Sequence, residues 1–149
     1  MKIKIKKFKL KDISRKYINW LRDKELTKYT EIKNPKIDEI FNYVKLNIKD
    51  QTVDFWKIII NEKIHIGNIR IKYLSKKIAT IAIIIGDKRY KNKGMGKLSL
   101  LKTIKILKRK KIKIIHAFIN KKNKPSIKIF KSNGFNQISA NKEKYTLKI

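Results

Sequence analysis

Ile83-Ile84-Ile85-Gly86-Asp87-Lys88-Arg89-Tyr90-Lys91-Asn92-Lys93-Gly94-Met95-Gly96-Lys97 leads from an isoleucine-rich stretch into a leucine-rich one through closely spaced glycines. The stretch from Ile78 to Ile85 is rich in β-branched residues and suits a strand. Downstream, Leu98, Leu100, Leu101, Ile104 and Leu107 mark a helix to about Arg109. A strand thus turns into a helix, and such a turn can aim several backbone amides, reinforced by the helix N-terminus, at one anion. Gly94 and Gly96 allow close approach of a ligand to the backbone, and Lys91, Lys93 and Lys97 add counter-charge. The pattern lacks the third glycine of the G-x-G-x-x-G dinucleotide fingerprint and is not a P-loop. Taken alone, the same residues fit a lysine-rich surface loop equally well.

Outward from this turn the periodicities define an element order. Lys2 to Leu10 alternates as a strand, with Ile3, Ile5, Phe8 and Leu10 as inward candidates. Asp12 or Ser14 can cap a first helix through Ile13, Tyr17, Trp20 and Leu21, fading by about Tyr29. After Pro35 a second helix carries Ile37, Ile40, Phe41, Val44 and Ile48 as its apolar stripe. Phe55 to Ile60, Ile64 to Leu74 and Ile78 to Ile85 read as successive antiparallel strands, divided by turns at Asn61-Glu62-Lys63 and near Ser75-Lys76-Lys77. Ile112 to Ile119 is another strand. A shorter helix runs from Pro125 or Ser126 to Ser132 or Asn133, with Gly134 suited to a left-handed stop. The last segment, through Tyr145 and Leu147, is an edge strand or hairpin partner. The order β-α-α-β-β-β-α-β-α-β-β predicts an α/β (α+β) fold of about seven strands and about four helices. No linker or repeat divides it, so residues 1–149 are expected to form one domain.

Composition narrows the function. The chain has no cysteine, which excludes disulfides, thiolate metal sites and a cysteine nucleophile. Two histidines far apart in sequence give no metal motif. The N-terminus MKIKIKKFKLKD lacks the unbroken apolar run of a signal peptide or membrane span, and a cytoplasmic location is expected. The formal net charge of +30 attracts polyanions, nucleic acid among them. Yet arginine stands only at positions 15, 22, 70, 89 and 109, whereas base readout leans on arginine forks. Lysine, isoleucine and asparagine dominate together, as an A+T-rich genome would encode, so non-specific attraction to nucleic acid is the most this charge implies.

A second motif gives the first a context. Asn123-Lys124-Pro125-Ser126-Ile127-Lys128-Ile129-Phe130-Lys131-Ser132-Asn133-Gly134-Phe135 resembles the N-x-x-S/A…Y-x-x-x-G-F segment of the GNAT acetyltransferase superfamily. Lys91 to Gly96 resembles that superfamily's R/Q-x-x-G-x-G/A motif, at the expected separation. Tyr17-Ile18-Asn19-Trp20-Leu21-Arg22-Asp23 and Tyr29-Thr30-Glu31 are similar to its first helix and acceptor loop. The likeness thus covers nearly the whole chain.

The resemblance implies a mostly antiparallel mixed sheet with a V-shaped cleft between the fourth and fifth strands, holding acetyl-CoA or a related acyl-CoA. Ile83 and Ile85 would lie along the pantetheine arm, the amides of Asn92 to Gly96 would bind the pyrophosphate, and Asn123, Ser126 and Phe130 would flank the arm from the other side. Carbonyl polarisation would come from a strand amide near Ile85. Two departures stand out: Lys91 replaces the usual Arg or Gln, and Phe130 replaces the tyrosine proposed to protonate the leaving thiolate. Glu31, in the acceptor loop, is the candidate base; Asp87 is expected to cap or brace its loop. Trp20, Tyr29, Glu31, Trp56, Asn68 and Arg70 are candidate acceptor-binding residues. His116 is expected to be a packed or partly solvated strand histidine and His65 an exposed one near a hairpin.

The implied reaction is acetyl transfer from acetyl-CoA to a primary amine, by a monomer or homodimer. The W-L-x-D and Y-T-E segments look most like enzymes of surface-polysaccharide synthesis, which points to an amino sugar, free or nucleotide-linked. An N-terminal acetyltransferase of the ribosomal-protein type is the alternative within the family. A lysine-rich nucleic-acid-binding protein on an acetyltransferase scaffold is the alternative outside it.

Overall fold

The computed structural model describes residues 2–138 and 141–149. In chain order the elements are β1 (Ile3–Lys7), α1 (Arg15–Arg22), α2 (Ile37–Lys49), β2 (Val53–Ile60), β3 (Ile64–Tyr73), β4 (Ile78–Ile85), α3 (Met95–Arg109), β5 (Ile114–Phe118), α4 (Lys124–Ser132), β6 (Asn136–Ile138) and β7 (Asn141–Lys148). This is the expected order. Among the described residues one seven-stranded sheet forms, in the order β1-β2-β3-β4-β5-β7-β6. Every neighbouring pair is antiparallel except β4 and β5. The last strand is therefore no edge: β7 lies between β5 and its hairpin partner β6, which takes the edge.

Period-two alternation divides the core between the two faces of the sheet. Trp56, Ile58, Ile60, Ile66, Ile69, Ile71, Ala79 and Ile81 pack with α3 and α4 residues such as Leu100, Leu107 and Phe130. Phe8, Val53 and Phe55 pack on the other face with Tyr17 and Trp20 of α1 and Ile40 and Val44 of α2. Tight turns suit the residues they contain. Asn61 and Glu62 both take positive φ between β2 and β3, and Gly134 at φ 91° ends α4 as expected.

The helices correct three readings. α1 begins behind Ser14, whose hydroxyl accepts from the Tyr17 amide at 3.1 Å. It stops at Arg22 rather than near Tyr29 because the Asp23 side chain accepts from the amides of Glu25 and Leu26 and starts a separate turn. In α2 the buried residues are Ile40, Val44 and Asn47, while Ile37 and Ile48 are exposed; the inward face is rotated toward Tyr43 and Asn47. In α3 the inward face includes Ser99 and Thr103, both fully buried, while Leu98 and Leu101 are exposed. Small residues let this helix lie close to the sheet, and Thr103 keeps its hydroxyl satisfied on the Ser99 carbonyl at 2.8 Å.

Candidate active site

β4 and β5 are paired only from Ile78↔Ile114 to Thr80↔His116. Beyond that point the strands diverge, so the edge of β4 from Ile81 and the facing edge of β5 from Ala117 have no strand partner. The expected V-shaped cleft is present. A cavity of about 280 Å³ fills it and continues under the loop between α1 and α2. Its cofactor end is lined by Ile81 to Ile84, Ala117 to Asn120, Asn123, Ser126 and Phe130. Ile83 thus borders the cleft, whereas Ile85 lies beyond its lining, held opposite Gly67 in the β3–β4 ladder. Asn123 Oδ1 accepts from the Ser126 amide at 3.4 Å as the N-cap of α4, which leaves its Nδ2 to donate elsewhere. Phe130 is 4% exposed and packs edge-on against Phe135, with ring centroids 5.0 Å apart. It closes the floor of the cleft and carries no proton to give.

The loop after β4 is held by Asp87. The Asp87 carboxylate accepts from the Arg89 amide at 3.1 Å, from Arg89 Nη2 at 2.8 Å and from Lys16 Nζ at 2.7 Å. The Arg89 guanidinium, and after it Lys16, hold this carboxyl well below the usual range although burial opposes them. Asp87 is the brace expected of it. Asn92 (φ 57°) and Gly94 (φ 79°) then turn the chain through the left-handed region. α3 starts without a side-chain cap and with no acid in its first turn. Its first backbone bond runs from the Leu98 amide to the Gly94 carbonyl, so the amides of Met95, Gly96 and Lys97 precede the helical ladder. An uncapped N-terminus of a 15-residue helix beside Lys91, Lys93 and Lys97 fits a pyrophosphate.

The two glycines of this loop differ in purpose. A Cβ on Gly94 would meet nothing within 4 Å, so the space above it is open. A Cβ on Gly96 would lie 2.9 Å from Ile129 Cδ1, so Gly96 serves the packing of α3 on α4. Met95 is likewise buried in the core, and both residues can offer a ligand only their amides.

The acceptor end of the cavity is formed by Tyr17, Thr27, Tyr29, Thr30, Tyr43, Phe55, Asn68 and Arg70, among others. Among the described residues, Arg70 is the only charged side chain lining the cavity. Its Nε donates to Asn47 Oδ1 at 2.6 Å, and Asn47 Nδ2 donates to the Tyr43 carbonyl at 2.9 Å. Burial raises the Tyr43 phenol; the Arg70 charge opposes this and the Glu31 charge adds to it. Tyr29 Oη donates to the Lys122 carbonyl at 3.3 Å, bridging the acceptor loop to the loop before α4.

Several anticipated residues stand elsewhere. Trp56 is 6% exposed within the core on the α3 face; Phe55, its neighbour, lines the cavity, and a one-residue difference on a strand reverses the face. Trp20 is buried beside Gly86 and lines a separate shallow depression with Lys16, Asn19 and Asp23. Asn68 borders the cavity, but its amide is engaged by the Trp56 carbonyl at 3.1 Å and His65 Nε2 at 3.0 Å. Glu31 is exposed; Thr30 and Ile32 on either side of it line the cavity and Glu31 does not. Tyr17, Tyr43 and Phe55 line the cavity without having been singled out as candidates from the sequence. The i, i+3, i+4, i+7 series Ile40-Tyr43-Val44-Asn47 is the signal that points to Tyr43.

His65 is not exposed. It lies half-buried among the rings of Phe8, Tyr17 and Trp20, at centroid distances of 5.6, 6.3 and 4.8 Å. Both neighbours of Nε2, Gly67 O and Asn68 Oδ1, are acceptors at 3.0 Å, so this nitrogen carries the proton. Burial lowers the His65 pKa. His116 is a partly solvated strand residue with Nδ1 2.8 Å from Thr146 Oγ1.

The sequence profile of the family described as Acetyltransferase (GNAT) domain matches residues 2–136. No curated protein matches the chain. Among solved structures, an acetyltransferase (GNAT family) from Bacillus anthracis is 22% identical, with 99% of this chain and 95% of that chain covered and a TM-score of 0.82. The Campylobacter jejuni N-acetyltransferase PseH in complex with acetyl coenzyme A is 20% identical, with 99% of both chains covered and a TM-score of 0.71. A spermidine N-acetyltransferase from Vibrio cholerae in complex with CoA and spermine is 14% identical, with 97% and 91% covered and a TM-score of 0.79. At these identities the likeness establishes a common fold.

Proposed function

Because the chain belongs to the GNAT acetyltransferase family, as the match over residues 2–136 shows, we propose that it acetylates the primary amine of an amino sugar, free or nucleotide-linked. It is an acyltransferase that uses acetyl-CoA and acts on an amine. The observation that carries the finer reading is the lining of the acceptor end, where aromatic rings alternate with hydroxyls and one guanidinium, and no carboxylate is present among the described residues. Aromatic faces with hydrogen-bonding edges suit a sugar ring. Polyamines such as the spermine of the Vibrio cholerae complex find no counter-charge on this lining. Residues 1–149 act here as one domain.

Acetyl-CoA supplies the acyl group: the acceptor nitrogen forms the new bond to carbon as the carbon–sulfur bond breaks, the nitrogen loses a proton and the sulfur leaves as a thiol. The chain contributes position and charge. The amides of Met95 to Lys97 and the lysines beside them hold the pyrophosphate, the unpaired strand edges of β4 and β5 hold the pantetheine arm, and Asn123 Nδ2 donates to it. Glu31 receives the amine proton through water at the cavity rim, since no carboxylate or histidine among the described residues lines the interior. Tyr29, which also lines the cavity, ties the Glu31 loop to the loop before α4.

Thiol release from acetyl-CoA in the presence of single amines tests the proposal. Amino sugars are expected to be turned over with saturation kinetics. CoA binding without turnover of any amino sugar, beside turnover of a ribosomal-protein N-terminal peptide, would replace it.

A further inference from the structure

Arg70 is a half-buried cation with no carboxylate at ion-pair distance among the described residues. Among the described residues seven ion pairs form, and none includes it. Its nearest fixed partner is neutral: Nε is held at 2.6 Å by Asn47 Oδ1. Asn47 is itself 6% exposed and anchored to the Tyr43 carbonyl, so this contact fixes the plane of the guanidinium. One edge is thereby used, and the two terminal nitrogens are left to the cavity that Arg70 lines. A cation taken out of water without a counter-charge is costly, and the cost is offset when an anion completes the pair. Guanidinium presents two parallel donors that match phosphate or carboxylate.

We propose that the acceptor carries, besides its amine, an acidic group that seats on the terminal nitrogens of Arg70. This rests on the acetyltransferase reading and deepens it by naming the substrate class: amines with a phosphate or carboxylate, rather than neutral or polycationic amines. The charge arrangement around the cavity agrees with this. Arg70 lies inside, and Glu31, whose charge is felt at the same Tyr43 phenol, lies at the exposed rim. A zwitterion entering acid-first meets its counter-charge at each end. The net charge of +30 draws such acceptors toward the surface and repels polycations.

Matched amines test the proposal: glucosamine against glucosamine 6-phosphate for phosphate, and tyramine against tyrosine for carboxylate. In the wild type, kcat/KM for at least one acidic member is expected to exceed that of its neutral twin by about 10-fold or more. In Arg70→Gln that ratio is expected to fall toward one, and Arg70→Lys to retain part of it. Equal turnover of both members in the wild type, or a ratio that survives Arg70→Gln, overturns the inference while leaving the enzyme an acetyltransferase. Absence of thiol release with every amine speaks against the acetyltransferase reading instead. In that case calorimetry of glucosamine 6-phosphate and of tyrosine with CoA-saturated protein decides the anion site: binding lost in Arg70→Gln supports it, and binding absent or unchanged refutes it. The thermal unfolding midpoint of each variant is measured alongside, so that misfolding is not read as lost recognition.

Discussion

The indole of Trp20 occupies the space directly over Gly86, such that a Cβ on that glycine would lie 2.1 Å from Trp20 Cδ2. The contact fastens α1 to the end of β4, where the loop leading to α3 departs. Gly86→Ala is therefore expected to destabilise the protein by about 1–3 kcal/mol, the usual scale of overpacking. Trp20→Leu removes the obstacle, so the double variant is expected to lose less than the sum of the single ones. Denaturant unfolding of all four proteins measures the coupling; additive losses would mean that the ring moves aside freely.

Gly94 and Gly96 are expected to fail in different ways. Gly94→Val places a branched side chain in open space at φ 79°, where the pyrophosphate is proposed to bind. CoA affinity falls sharply, and stability falls by the roughly 1–2 kcal/mol of a left-handed non-glycine residue. Gly96→Val drives into Ile129 and separates α3 from α4, so its main loss is in the unfolding midpoint. Calorimetry with CoA, run beside thermal unfolding, distinguishes the two, and the same profile from both variants would contradict the assignment.

Glu31→Gln keeps the shape of the acceptor loop and removes the charge. Turnover is expected to drop by roughly 10²-fold, the lower range for a positioned base, with CoA affinity unchanged. A raised Michaelis constant with normal turnover at saturation would make Glu31 an attractor of the ammonium group rather than its base. Wild-type values for both would return it to the solvated surface.

His65 makes stability depend on pH. Its folded-state pKa lies below the ordinary 6.5 because burial disfavours the imidazolium. In the window below 6.5 the unfolded chain binds the proton more readily, so its contribution is intact above 6.5 and is lost as pH falls through the folded pKa. Denaturant unfolding between pH 7.5 and 5 is expected to show this decline, and His65→Gln to reduce its slope. His116 is lowered in the same direction, by burial and then by Lys144, so His116→Gln is the matched control. An identical slope in His65→Gln would remove His65 from the account.

Much of the framework around the candidate site is legible in the sequence. The strand–turn–helix at residues 78–109, the proline in the first turn of α4 and the stop at Gly134 are local features, and each depends on a few neighbouring residues whose φ values are set nearby. The orientation of Trp56 was not local in this sense. Both faces of β2 are covered by helices, so both Phe55 and Trp56 are buried and no polar alternation marks which side faces the acceptor. Gly96 is a similar case: two glycines in one motif look alike until α4 arrives beside one of them.

The sequence by itself determined the element order, the glycine turn that opens α3 and the membership of a family, because periodicity, capping and glycine placement act over a few residues. The tertiary structure alone decided which polar groups meet. Lys16 reaches Asp87, Arg70 is held by Asn47, and Tyr29 reaches Lys122 across intervals that no local pattern spans. It also decided that Arg70 faces a cavity whose lining, among the described residues, holds no acid. Pairing of charges depends on which strand face and which helix face are brought together, and those follow from closing the whole sheet between its two layers of helices.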